Sequence, residues 1–421
     1  MPAKDPARRA VVTGLGAVTP IGNTAPAYWE GLLAGRSGVN AITQFDPVGL
    51  DVRIAAEVKG FDPSVSMDRK MARRMSRFIH LAMAAAAEAV QDAGIDFSTY
   101  DPDQRDRVAA IVNTGGGGLE QIIEGTRVLA QRGPGQVSPF AIPALSGSMA
   151  ACQVSMKYHI TGPVICQVAA CASSVIAFID GLRMIQLGEI DVALVGGSEG
   201  SLLPIAFAAL GNMGALSRRN DDPTHASRPF DRDRDGFVFG EGAGIVVLES
   251  AEHAMARGAK ILCEVIGGGM TADAFHISAP EPTGRGATAA MTKALRNAAV
   301  APDEVDYIVA HGTSTPLNDV TETRAIKAAF GAHAYKVAIS SPKSMVGHLL
   351  GAAGVASGLA AIGAIREGII PPTANLENQD PECDLDYVPK VARVKKVDTA
   401  IINGFGFGGQ NAVAVFRRFE L

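Results

Sequence analysis

The residues best suited to chemistry in this 421-residue chain are one cysteine and two histidines that stand in similar settings. Cys171 lies in VICQVAACASSVIAFIDGLRMIQLG, where an apolar strand pattern runs into a long helical one and the small residues Ala172, Ser173 and Ser174 follow the thiol. A thiol at such a junction meets the partial positive charge of a helix N-terminus, which predicts a lowered pKa and a reactive thiolate. His311 stands in AHGTSTP, directly after the apolar run YIVA, and His348 in KSMVGHLLGAAG, which Lys343 heads. Histidines where a strand ends and small residues begin lie at the rim of an α/β sheet, where ligand crevices form. Alone, each of the three reads as a buried thiol or a satisfied imidazole. Together they make a candidate nucleophile with two imidazoles beside it. His80, His159, His225, His253 and His333 have no such context and His276 is intermediate, while Cys152, Cys166, Cys263 and Cys383 keep the structural reading.

Two glycine-rich stretches accompany these residues. In Asn403-Gly-Phe-Gly-Phe-Gly-Gly-Gln-Asn411, glycines flank Phe405 and Phe407 and free the backbone to aim N–H groups at a ligand, with a plain hairpin as the alternative. Gly115–Gly118 is equally free, but without the Lys-Ser/Thr of a P-loop it is poor evidence for phosphate binding.

The elements that must position these groups alternate in type. Strands are expected at Ala10–Val12, Val108–Val112, Val192–Val195, Gly244–Leu248 and Tyr307–Ala310, and helices at Phe78–Ala93 and Ala287–Ala299. Such alternation predicts βαβ units and a mostly parallel sheet. Ile261–Ile266 resembles the opening strand of a second unit, closed by Ala400–Asn403 and Ala412–Phe416. Two similar halves are therefore expected, 1–255 carrying the thiol and 256–421 carrying both imidazoles. No low-complexity linker separates them, so they should share a core.

Composition narrows the function classes. Hydrophobic residues make up 47% and charged ones 19%, enough for a large core in an α/β protein, and the 47 glycines imply tight turns. A net charge of −5 gives no footprint for nucleic acid. No long uncharged apolar stretch suggests a membrane span, and the start MPAKDPARRAVVTGLG has no signal-peptide core. The cysteines have no paired metal-ligand spacing, so no metal is expected. They read as reduced thiols of a soluble, cytoplasmic protein.

Several ordered motifs (VVTGLGAVTPIG, SRPFDRDRDGFVFGEGAG, AHGTSTP, KSMVGHLLGAAG, PPTANLE and GFGFGGQNAVAVF) closely resemble those of the elongating, synthase II-like β-ketoacyl-acyl-carrier-protein synthases of the thiolase superfamily. The resemblance covers nearly the whole chain. It implies the thiolase fold, two similar α/β halves in a five-layered αβαβα arrangement, packed as a homodimer. It also implies an acyl group carried on Cys171 and condensed with malonyl-acyl carrier protein, giving a 3-oxoacyl product and CO2. His311 and His348 match the family's catalytic histidines and Lys343 its active-site lysine. Thr313 and Thr315 match residues lining the phosphopantetheine tunnel, with Phe405 beside them. Phe407 matches the acyl-pocket gate, whose N–H joins that of Cys171 in an oxyanion hole. No bound cofactor is implied, because the phosphopantetheine arrives on the carrier protein. A basic cluster (Arg69, Lys70, Arg73, Arg74 and Arg77) suits an acidic carrier by electrostatic steering.

Three departures qualify the resemblance. Gly116 replaces the Ile or Leu often found at the acyl-pocket floor, which predicts a pocket that is deeper, or open toward the dimer partner, and that accepts unusual chain lengths. Ser357 replaces an acidic partner of the lysine, and Gly214 a basic residue before the ALS tripeptide. A polyketide ketosynthase is the nearest alternative. A degradative thiolase would need a second cysteine near GFGFGGQN, and a non-catalytic chain-length subunit would lack Cys171.

Overall fold

In the computed structural model, which describes residues 6–420, ten strands share one hydrogen-bonded sheet. The charged residues of the opening MPAKD segment lie outside the described residues. The strands are β1 (Ala10–Val18), β2 (Val108–Asn113), β3 (Val164–Ile165), β4 (Val192–Glu199), β5 (Gly242–Ser250), β6 (Cys263–Ala272), β7 (Tyr307–Val309), β8 (Ala338–Ser340), β9 (Thr399–Gly406) and β10 (Gln410–Arg417). Across the sheet they run β8-β7-β9-β10-β6-β1-β5-β4-β2-β3. From the middle outward, each half places its first, fifth, fourth, second and third strand in that order, so the second half repeats the topology of the first. The halves meet where β1 pairs with β6 over Ala10–Val12 alone.

The sheet is mixed, a correction to the mostly parallel arrangement expected from the alternation of strand and helix. β2 is parallel to β3 and β4, and β7 is parallel to β8 and β9. The pairings through the middle are antiparallel. Connection length supplies the reason at β9 and β10, which are joined only by Phe407–Gly409 and so must form a hairpin, whereas the outer strands have helical crossovers.

Helices complete the layers. Helix α1 (Arg77–Ala93) packs on β1 and β5, and α3 (Arg285–Ala298) packs on β6 and β10. Helices α2 (Ser173–Gln186) and α5 (Ala353–Glu367) pack on each other between the half-sheets, α2 touching β4 and β10 and α5 touching β9 and β5. Residues Ala353 to Ile365 of α5 are all buried, as a helix covered on every side requires. The result is the five-layered thiolase arrangement. Glycines permit the close packing: a Cβ added at Gly16 of β1 would lie 1.9 Å from the Ala85 carbonyl oxygen of α1, and one at Gly269 of β6 would lie 2.2 Å from that of Ala290 in α3. Among the described residues, no helix is long and apolar enough to cross a membrane.

Candidate active site

The candidate residues gather where β3, β7, β8 and β9 end, on the carboxyl side of parallel strands where α/β sheets open crevices. Cys171 lies in the single 3-10 turn Ala170–Ala172 that leads into α2. Ser173 pins this turn, its Oγ accepting from the Ala169 N–H at 2.9 Å and donating to the Ala170 carbonyl at 2.7 Å. β9 can press against the turn only because it carries glycine there: a Cβ at Gly406 would sit 2.7 Å from the Ala169 carbonyl oxygen.

The thiol corrects one expectation. Burial pushes the Cys171 pKa up to about 11, against the opposing pull of the Lys343 charge and of the Phe407 and Cys171 N–H groups. The sequence showed the helix end, which favours thiolate, but not the burial, which outweighs it. Cys171 therefore rests as a thiol with two backbone N–H groups aimed at its sulfur.

His311 follows β7 and is held by its own backbone. Its N–H donates to Glu322 Oε1 at 2.8 Å, and the N–H of Gly312 donates to Glu322 Oε2 at 2.7 Å. Asn403 Nδ2 adds a third bond to Glu322 at 2.9 Å. The N–H of Thr313 donates to Asp319 at 3.1 Å. Glu322 and Asp319 both lie on α4 (Pro316–Phe330), which Thr315 caps with its side chain. His348 follows the short helix Lys343–Val346. Its Nδ1 accepts the Leu350 N–H at 3.2 Å, so in the neutral ring the proton sits on Nε2. Both that Nε2 and Nδ1 of His311 are buried without a hydrogen-bond partner among the described residues.

The two rings cross nearly at right angles with centroids 5.4 Å apart. Burial first, and then the Lys343 charge, hold both imidazoles well below the ordinary histidine range, so both are neutral at physiological pH. Burial also lowers Lys343, to about 8, while Glu322, Cys171 and Asp319 act in the opposite direction. Among the described residues, Cys171, His311 and His348 are also the three whose donor atoms, all within 4.8 Å of one another, could share a metal ion. A thiolate and two imidazoles suit zinc, although the Lys343 ammonium opposes a dication there.

A cavity of about 310 Å³ leads to these groups, lined by Cys171, His311, His348, Thr313, Thr315, Phe405 and Phe407. Thr313 and Thr315 join hydroxyls at 2.9 Å, Phe405 lies against His311, and Phe407 is 36% exposed at the turn between β9 and β10. Gly214 lines the same cavity beside Met213. Gly116 does not line it. A Cβ there would meet Ser201 Oγ at 3.0 Å and Glu199 Oε1 at 3.2 Å, with Leu119 Cδ1 at 3.5 Å. Ser357 is buried in α5 with its Oγ unpartnered. Arg69, Lys70, Arg73 and Arg74 are exposed on and after the short helix Arg69–Ala72. Arg77 leaves this basic group, because its guanidinium is bound to the buried Glu241 carboxylate at 2.5 Å.

Sequence reasoning missed the residues that brace the site: Glu322, Asp319, Asn403, Glu199 and Arg234. Buried Arg234 holds the carbonyls of Thr315 at 3.1 Å and Pro316 at 3.0 Å, and pairs with Asp380. One signal was available for the acids: Asp319 and Glu322 stand one helical turn apart, just beyond His311.

Comparison with known proteins agrees with this geometry. The pattern of the β-ketoacyl synthase N-terminal domain matches residues 7–254, and that of the β-ketoacyl synthase C-terminal domain matches residues 262–377. A 3-oxoacyl-[acyl-carrier-protein] synthase 2 from Synechocystis sp. is 49% identical over 413 residues, covering 98% of this chain and 99% of that protein. One of the same name from Coxiella burnetii is 46% identical over 411 residues, again covering 98% and 99%. Among solved structures, the ishigamide ketosynthase/chain length factor superposes with a TM-score of 0.91 at 36% identity, covering 98% of this chain and 100% of that one. A β-ketoacyl synthase from Burkholderia phymatum gives 0.90 at 35% identity with the same coverage. A type II polyketide ketosynthase in complex with its acyl carrier protein gives 0.90 at 32% identity, also with that coverage. The chain belongs to the β-ketoacyl synthase family.

Proposed function

We propose that this chain condenses an acyl group held on Cys171 with malonyl-acyl carrier protein, releasing CO2 and forming 3-oxoacyl-acyl carrier protein in fatty acid elongation. The observation that carries the reading is the meeting of one thiol and two neutral imidazoles within 4.8 Å in the same cavity. In the first half-reaction the Cys171 sulfur attacks the acyl thioester carbonyl, and the C–S bond to the carrier breaks to release the carrier thiol. The N–H groups of Phe407 and Cys171 stabilise the tetrahedral oxyanion. In the second, the malonyl C–C bond breaks and its electron pair moves into an enolate whose oxygen accepts from the imidazoles. Neutral rings suit this task, since His348 already presents an Nε2–H. The enolate carbon then attacks the acyl-Cys171 carbonyl, expelling the sulfur. One proton from solvent balances the cycle.

The pantetheine arm of the carrier fits the cavity past Thr313 and Thr315, and Lys343 supplies positive charge near the sulfur. Exposed Arg69, Lys70, Arg73 and Arg74 offer an acidic carrier protein its docking charge. The protein works in the cytoplasm as a homodimer, with no cofactor of its own. Support for the dimer comes from edge strand β3 and from the exposed apolar side chains of Val164 in it, Val168 just after it and Ile142 in the segment 141–151, which are 38%, 62% and 68% exposed. Curated relatives at 43–49% identity carry the synthase 2 name, against 32% for the type II polyketide ketosynthase, which favours elongation.

Intact mass spectrometry after incubation with a ladder of acyl carrier proteins tests the reading, beside a Cys171→Ala variant. Acyl adducts that vanish in the variant are expected. A folded protein that loads no chain at any length would overturn it.

A further inference from the structure

One buried acid stands beside the site and takes no part in the steps above. Glu199 ends β4, is fully buried, and among the described residues takes its hydrogen bonds from neutral groups. Its Oε2 accepts the N–H of Gly115 at 2.9 Å and that of Gly351 at 3.3 Å. The N–H of Gly116 also faces the carboxyl. Its Oε1 lies 3.0 Å from Ser201 Oγ, which lies 3.2 Å from the Gly117 carbonyl oxygen.

Hydrogen counting separates the two charge states. A serine hydroxyl has one hydrogen to donate. If Glu199 is ionised, that hydrogen must serve Oε1 and abandon the Gly117 carbonyl. If Glu199 is protonated on Oε1, the acid donates to Ser201 and Ser201 donates to Gly117, while Oε2 still accepts from the glycines. Only the neutral acid satisfies every contact.

We propose that Glu199 serves the condensation as a neutral carboxylic acid, a positioning residue that ties the Gly115–Gly118 turn to the Leu350–Gly351 turn beside His348. It does so without setting a negative charge beside Cys171. The inference rests on the condensation reading for its effect on rate, but not for the charge state itself. The Gly351 bond matters because the preceding residue, Leu350, sits at a positive φ of 42° and gives its own N–H to His348 Nδ1. Holding that turn holds the tautomer that presents Nε2–H to the substrate.

Burial agrees with the counting, pushing Glu199 up to about 7 against the opposing hydrogen bonds of Ser201 and the glycines. Cys171 is the titratable group that feels it, since an ionised Glu199 raises the thiol further. Lys343 acts on Cys171 with the opposite sign and lowers both imidazoles. The sign of the pH effect follows. An acid whose folded pKa is raised contributes stability that is present below its ordinary value, near 4.5, and lost as pH rises through about 7.

Glu199→Gln is the test, because an amide mimics the neutral acid: its NH2 donates to Ser201 and its oxygen accepts from the glycines. The variant should fold, load acyl chains on Cys171 and condense within about threefold of the parent near neutral pH. Its rate should hold as pH rises from about 6 to 7.5, below the range in which Lys343 loses its charge, while the parent's declines. Its melting temperature relative to the parent should also rise over that range. Infrared spectroscopy of the parent should show a protonated-carboxyl C=O band that shifts in heavy water and is missing in Glu199→Gln. Glu199→Ala should keep acyl loading but lose decarboxylation of malonyl-carrier protein by at least about tenfold. A Gln variant that fails to fold, or that behaves like Ala, would overturn the proposal, as would a parent without the band. Failure of the parent to load Cys171 would instead overturn the condensation reading and leave the infrared result standing.

Discussion

Replacing Glu322 with alanine should separate the two half-reactions. Glu322 is 1% exposed and takes three N–H donors: His311 at 2.8 Å, Gly312 at 2.7 Å and Asn403 Nδ2 at 2.9 Å. A buried donor left without a partner costs about 1–3 kcal/mol, so Glu322→Ala should destabilise by about 3 kcal/mol even at the low end. A second loss follows from charge. Burial lowers Lys343 to about 8, and Glu322 is the largest influence in the other direction. Without it Lys343 falls further and sheds its proton near neutral pH. Glu322→Gln keeps the shape, but its NH2 must face at least one N–H donor, so its destabilisation should lie between the parent and Ala.

The catalytic consequence is unequal. Glu322 fixes the backbone from which the His311 ring projects, whereas Cys171 is pinned separately by Ser173. A misplaced ring of about 1 Å is worth about 10²-fold in rate. Decarboxylation of malonyl-carrier protein, followed as CO2 release, should therefore fall by about that factor. Acyl loading of Cys171, followed by intact mass, should fall by a smaller factor, through the weakened Lys343 charge alone. Melting curves give the stability term. An Ala variant that melts with the parent, or that loses both half-reactions equally, would refute the reasoning.

Three further outcomes are expected. Alkylation of Cys171 by iodoacetamide should accelerate about tenfold per pH unit from about 6 to 8, because burial holds the thiol near 11, and Lys343→Met should slow it over that range, where Lys343 is still charged; a plateau below about pH 8 would contradict this. Arg234→Ala should destabilise by about 3–5 kcal/mol, since Asp319 loses its buried counter-charge and the carbonyls of Asp231, Thr315 and Pro316 each lose a donor, with an unchanged denaturation midpoint counting against it. Gly116→Ile should lower stability by about 1–3 kcal/mol through the close approach to Ser201 and Glu199, and a variant that melts with the parent would count against that packing.

What could be read from the chain depended on how local its cause was. Cys171, His311 and His348 were legible because each stands where an apolar strand gives way to small residues, a pattern contained within one segment. The duplicated topology was legible for the same reason, from two successions of strand and helix. The strand directions were not, because β1 and β6 are inserted at the centre by pairings between distant segments. The bracing residues were hidden by the same distance. Glu199 meets Gly115 across 84 residues and Gly351 across 152, and nothing in the neighbourhood of any of them announces burial. Arg77 shows the converse, a basic residue in an exposed-looking cluster that is taken by Glu241 across 164 residues.

The same distance explains why the resting charge of the site could not be read from composition. Local sequence places a helix end, a lysine and several acids near the thiol and suggests a charged centre. Burial reverses the outcome: the thiol keeps its proton, both imidazoles stay neutral, and hydrogen counting leaves Glu199 neutral as well. Negative charge then arises only as bonds change, first on the tetrahedral oxygen and later on the enolate. Each appears opposite donors already fixed in place, the N–H groups of Phe407 and Cys171 and the Nε2–H of His348. At buried groups such donors act more strongly than in bulk water, and a permanent anion beside them would compete for the same stabilisation. A thiol and two imidazoles kept neutral at rest beside the Lys343 charge therefore favour the transition states over the bound substrates.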